Sequence, residues 1–166
     1  MHHRLSKSQY VKGRRCPKRL WLYNYQRELA GTHSAFQKGI LEQGQEVGQL
    51  ARLLFDGGEL IGEDHTQAEV AVAHTKRAID TGQTILYEAA FTFQDVLIRA
   101  DIIKKNSEDT WDIYEVKSGT NLEEPKKEYL LDLAVQKYVL QGAGLPIGKF
   151  HIGITDRAYS FSKLGR

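Results

Sequence analysis

Three segments rich in β-branched and aromatic residues follow one another at 84–92, 95–103 and 111–117. Their links, Thr92 to Asp95 and Lys104 to Thr110, are too short to carry a helix, so the segments must run antiparallel as a meander. Gly119-Thr120-Asn121 ends the third as a turn would. Pro125 then stands where a first helical turn tolerates proline, and KKEYLLDLAVQKYVLQ continues as a helix stopped by Gly142. A last strand, KFHIGIT, is reached through that helix and can lie parallel to an inner strand. The order predicts an α/β fold, a mixed sheet covered by helices.

The chain before the meander reads as helical. Ser6 to about Tyr25 forms one or two short helices, broken near Cys16-Pro17 because proline removes a backbone donor. Residues 36 to 54 place Phe36, Ile40, Val47, Leu50 and Leu54 at helical intervals. Gly39, Gly44 and Gly48 weaken that helix by about 1 kcal/mol each, a cost expected where a neighbour packs closely or a ligand needs room. Thr66-Gln67-Ala68-Glu69 has the form of a capping box, opening a helix that ends near Gly82. With no internal repeat and no linker, 166 residues suit one domain, with 1–30 as a basic helical N-terminal segment. That the chain is a fragment of a longer protein stays open.

Composition narrows the class. A hydrophobic content of 41% is ordinary for a globular protein. No apolar run approaches membrane-spanning length and the N-terminus lacks the apolar core of a secretory signal, so the expectation is a cytoplasmic protein with no membrane partner. Cys16 is the one cysteine, which excludes an internal disulfide and any cysteine-only zinc or iron–sulfur site built by this chain. The six histidines show no ligand spacing.

The formal charge of +2 conceals a segregation. The first 27 residues carry eight bases and no acid. Lys12, Arg14, Arg15, Lys18 and Arg19 are interleaved there with Tyr10, Trp21, Tyr23 and Tyr25, which suits a surface that neutralises phosphates and offers rings, Trp21 among them, for bases to stack upon. A solvated basic helix whose aromatics belong to the core is the plainer alternative.

The meander carries its charges at one end. In the second strand Val96, Ile98, Ala100 and Ile102 share a face, while Arg99 and Asp101 look out from the other. In the third, Tyr114 and Val116 oppose Glu115 and Lys117. A hairpin turning at 107–109 brings Asp101 opposite or diagonal to Glu115. Two converging carboxylates force one to hold a proton or demand a cation, and hard oxygens suit Mg²⁺ or Mn²⁺. Lys117 beside them could orient or help deprotonate a water and offset charge in a transition state. A structural salt bridge from Lys117 to Glu115 or Asp101, without chemistry, is the alternative.

Asp101, then Glu115-Val116-Lys117, then a helix bearing Gln136 and Tyr138, resembles the PD-(D/E)XK nuclease superfamily in its RecB-like, CRISPR-associated exonuclease branch. LSKSQYVKGRRCPKRLWLYNY, GQEVGQLARLLFDGG and YEVKSGT…YLLDLAVQKYVLQGAGL resemble a bacterial subgroup of that branch, over about residues 5 to 145. The resemblance implies a restriction-endonuclease-like αβββαβ core at 31–166 with helices on both faces of the sheet. It implies metal-dependent hydrolysis of DNA phosphodiesters in repair, recombination or defence, with DNA as partner and Mg²⁺ or Mn²⁺ as cofactor. Asp101 and Glu115 would ligate the metal, the Val116 carbonyl would add to them, and Lys117 would serve the attacking water.

Three departures qualify the carry-over. Relatives place Gln and Tyr four apart on the later helix, whereas Gln136 and Tyr138 are two apart and Asp132 is the residue four from Gln136. Gly48 stands where many relatives have a histidine ligand, leaving Glu46 as a substitute oxygen donor or, with Glu42, a solvent-facing residue, and Glu88 as a further ligand or else a cross-strand partner of Arg99. Relatives with a Cys-Pro like Cys16-Pro17 use three more cysteines for an iron–sulfur cluster, so no cluster is expected here. A competing class is a non-catalytic nucleic-acid-binding or scaffold domain that keeps the fold.

Overall fold

The computed structural model describes residues 5–32, 34–119 and 127–155. In chain order these form β1 (Leu5–Ser6), α1 (Lys7–Arg15), α2 (Pro17–Tyr25), a 3₁₀ turn (Arg27–Leu29), α3 (Ala35–Arg52), β2 (Glu59–Leu60), α4 (Ala68–Asp80), β3 (Ile85–Phe93), β4 (Val96–Lys105), β5 (Trp111–Lys117), α5 (Lys127–Gly142) and β6 (Ile147–Ile154). Pro125 and the Thr120-Asn121 turn lie outside the described residues.

The sheet is mixed and, among the described residues, six-stranded, in the order β2-β3-β4-β5-β6 with β1 beside β4. β3, β4 and β5 are antiparallel neighbours, as the short links require. The β3–β4 link is the two-residue turn Gln94-Asp95 with both φ positive, the hairpin geometry that follows strand twist. β6 returns through α5 to lie parallel to β5.

Helices cover both faces. Along β5 the alternation turns Trp111, Ile113 and Glu115 to the buried side, where α5 supplies Val135, Gln136, Val139 and Leu140. That core also takes Ala71 and Ala78 from α4. Tyr114 and Val116 face the other way, towards the end of α3 and Phe55, whose ring lies 4.6 Å from that of Tyr114. Although α3 has the periodicity of an amphipathic helix, it leaves Phe36, Ile40, Leu41 and Leu50 exposed, as are Leu53 and Leu54 just beyond it.

Local signals explain most boundaries. Ser6 and Ser34 each close a capping box with a glutamine three residues on, and Pro17 takes the first position of α2. The expected capping box at Thr66 does not form. The Thr66 hydroxyl donates to Asp64 instead, and α4 starts behind Gln67 without a side-chain cap. No helix among the described residues is long and apolar enough to cross a membrane.

Candidate functional site

β4 and β5 are paired from Lys105↔Trp111 to Ile102↔Tyr114 and then part. The next positions in that register are Asp101 and Glu115. Here Asp101 Oδ2 accepts the Val116 amide at 2.7 Å, so a side chain replaces a main-chain rung. Farther along β4, β1 pairs in parallel through Leu5↔Val96 and Ser6↔Leu97, and the turn from β1 into α1 brings Lys7 to Glu115.

Glu115 is 2% exposed because it shares the face of Trp111 and Ile113. A carboxylate that deep must be matched by donors. Lys7 Nζ lies 2.9 and 3.1 Å from its two oxygens, Lys117 Nζ donates to Oε1, and Gln136 Nε2 donates to Oε2 at 2.6 Å. Lys117 also donates to Asp132 Oδ2 at 2.6 Å. Gln136 Oε1 is buried with no hydrogen-bond partner among the described residues.

The two carboxylates titrate in opposite directions. Burial pushes Glu115 up, but Lys7 and Lys117 outweigh it and hold the carboxyl below its ordinary value. Asp101 is pushed up to about 6 by burial and then by the charge of Glu115, against the opposing pull of Lys7 and the Val116 amide. For Lys117 burial favours the neutral amine, yet Glu115 and Asp132 prevail and raise it well above the ordinary lysine range. Lys117 is therefore a fixed positive charge and a hydrogen-bond donor in this arrangement, not a base.

Asp101 also lines a cleft of about 640 Å³ beneath α3, with Gly44, Gly48, Arg52, Glu88 and Val116. A Cβ on Gly44 or Gly48 would meet no atom within 4 Å, so these glycines leave space and do not serve close packing. Glu88 lies between the rungs Tyr87↔Ile102 and Ala89↔Ala100, opposite Asp101, with φ 56° in the left-handed region. Such a backbone costs a non-glycine residue about 1 kcal/mol and marks sites where strain is held by its surroundings. Its carboxylate pairs with Arg52 at 2.9 Å and not with Arg99, which donates to the carbonyls of Ile61, Glu63 and Asp64.

Of the residues singled out in the sequence, Asp101, Glu115, Lys117 and Gln136 come together, and Val116 joins through its amide. Two do not. Glu46 is exposed and outside the cleft, because it is two residues from both Gly44 and Gly48 and so turned about 200° from them on the helix. Tyr138 stands in the same relation to Gln136; it is 47% exposed and its hydroxyl donates to Gln94 at the β3–β4 turn. Asp132, four residues from Gln136, takes the place beside it.

In the basic segment, Lys12 lies over the Tyr23 ring at 3.6 Å and Arg15 pairs with Glu128 of α5. Lys18 and Arg19 are exposed, and Arg14 and Trp21 line a concavity between α1 and α2. Lys7 and Arg52 were not anticipated as site residues. Lys7 reaches Glu115 through a two-residue parallel pairing that leaves no periodic trace, and its one sequence mark is its place after the Ser6 cap.

Hard oxygens at Asp101 and Glu115, with Glu88 across the ladder, are of the kind that a divalent cation takes. Among the described residues, however, no group of three or more His, Cys, Asp or Glu is assembled so as to hold a metal ion. No family model matches this chain, and no curated protein shows significant similarity to it.

Proposed function

We propose that this chain is a divalent-metal-dependent nuclease hydrolysing DNA phosphodiester bonds, on a restriction-endonuclease-like core, in repair, recombination or defence. One observation carries the reading: an aspartate and a Glu-x-Lys motif meet where two strands part, beside an open cleft, with the aspartate pushed up to about 6 by burial and by the charge of Glu115. A perturbed carboxylate in a cleft, with a specific charge partner, is a candidate for a working site.

Asp101, Glu115 and the Val116 carbonyl would hold Mg²⁺ or Mn²⁺, with water and substrate phosphate in the remaining positions. Bound there, the ion would lower the pKa of a water and neutralise charge on the phosphoryl oxygens. Lys117, fixed by Glu115 and Asp132, presents a permanent positive charge to the phosphorane-like transition state. Gln136 holds the Glu115 carboxylate in one orientation, and Asp132 does the same for the Lys117 ammonium.

A second reading has its own observation. Glu115 is already saturated by Lys7, Lys117 and Gln136, which suits a non-catalytic nucleic-acid-binding or scaffold domain on the same fold. Incubation of labelled linear and circular DNA with and without Mn²⁺ separates the two. The nuclease cuts linear substrate in Mn²⁺ and loses that cutting in Asp101→Asn; a protein that shifts DNA in a gel but shows neither calorimetric Mn²⁺ binding nor cutting is the scaffold.

A further inference from the structure

Beside the carboxylate–lysine cluster lies a second concavity, about 560 Å³, where β1, α1, α2 and β4 meet the start of α4. Its lining is one-sided in charge: Lys7, Arg27 and Arg99 contribute to it beside His65, and among the described residues no carboxylate does. The acids whose charge Arg99 feels, Glu63 and Asp64, are engaged by His74 and Thr66. Tyr23 adds a ring, with the Arg27 guanidinium 4.8 Å from its centroid and donating to its hydroxyl.

Gln9 of this concavity donates to Asn24 at 2.9 Å, and Asn24 belongs to the next one. That neighbour, about 490 Å³, is lined by Tyr10, Arg14, Trp21 and Tyr25 and, among the described residues, by no acid. Trp21 and Tyr25 are each 53% exposed with centroids 5.6 Å apart. A cationic hollow and an aromatic one, divided by a single amide bridge, repeat the alternation of phosphate and base along a nucleic-acid strand. Rings can stack upon bases only where these are unpaired, and each such stack is worth tens-fold in affinity.

We propose that the two concavities form a track for single-stranded nucleic acid, phosphates lying among Lys7, Arg27, His65 and Arg99 and a base on Trp21 and Tyr25. The placing of the track's end is informative: Lys7 lines the first hollow and its ammonium touches Glu115, so a strand in the track arrives at the carboxylate cluster. Only that direction of delivery rests on the nuclease reading; the binding itself does not.

The test uses the full chain in EDTA, where cutting cannot intervene, and the fluorescence anisotropy of a dye-labelled 20-nucleotide thymidylate strand or a duplex of equal length. Arg27→Glu and, separately, Ala68→Glu should each weaken single-strand binding at least tenfold and flatten the slope of log Kd against log salt by about 1. Ala68→Glu removes no native contact and puts an acid in the first turn of α4, where the helix favours it, so it guards against loss of fold. Trp21→Ala should weaken the single strand several-fold while leaving the duplex unchanged, and Lys76→Ala, on an exposed face of α4, should alter neither. Unchanged single-strand binding in both acidic variants overturns the proposal, as does duplex bound as tightly as single strand, or polyglutamate competing equally at matched charge. A protein that binds single strands through these residues yet cuts nothing in Mn²⁺ overturns the nuclease reading and leaves the track standing.

Discussion

Asp101 carries its charge against its own stability. Its folded carboxyl titrates at about 6 against an ordinary 3.8, so the folded chain holds the proton more tightly than the unfolded one. Protonation therefore favours folding: the stabilisation is complete below 3.8 and lost as pH rises through about 6, a difference of about 3 kcal/mol. Asp101→Asn keeps an acceptor for the Val116 amide and removes the charge. Its urea midpoint should exceed that of the wild type at pH 7.5 and match it near pH 4, while Mn²⁺-dependent cutting disappears. His74 shows the same direction of dependence at higher pH, here through a gained positive charge. Hydrogen bonds to Glu59 and Glu63 raise it above 6.5 in spite of burial, so the imidazolium's contribution is full below 6.5 and fades as pH climbs through the raised value. Thermal melts of His74→Gln should lie well below the wild type at pH 5.5, with the gap closing by pH 9.

At the scale of elements, α3 carries Gly39, Gly44 and Gly48, and all three face open space. Gly48→Ala should stabilise the fold by up to about 1 kcal/mol, since alanine is the better helix former and its Cβ meets nothing. Gly48→His should gain less stability but bind Mn²⁺ more tightly by calorimetry than the alanine variant, because an imidazole would then share the cleft with Asp101. The reach of sequence reasoning divides along the same lines. β3, β4 and β5 were legible because alternation and turn residues are local, and their register follows from the link lengths. β1 and β2 were not, being two residues each and held by parallel pairing with distant strands. Asp101, Glu115 and Lys117 could be read from strand periodicity. Lys7 could not, and Glu46 and Tyr138 lie away from the cluster because a two-residue step on a helix points away from the residue it starts from.

For the molecule as a whole, the basic N-terminal segment is part of the sheet and of its charged centre. Lys7→Met removes from Glu115 the partner that touches both its oxygens, leaving a buried carboxylate with one ammonium and one amide. Breaking such a pair costs about 3 kcal/mol, whereas Lys76→Ala, which loses the exposed Lys76–Asp80 pair, should cost about 0.5 kcal/mol or less in the same urea titration.

The Lys7–Glu115 contact spans 108 positions of sequence, and this has a consequence for how the chain comes off the ribosome. The cationic helices emerge well before β5, and Lys7 lacks Glu115 until that strand has been made. Loop closure over that distance is slow compared with hairpin formation, so β3, β4 and β5 fold ahead of it and the N-terminal strand docks last. The charged centre is thus completed only by a finished sheet, and a nascent or truncated chain carries its bases without their counterpart.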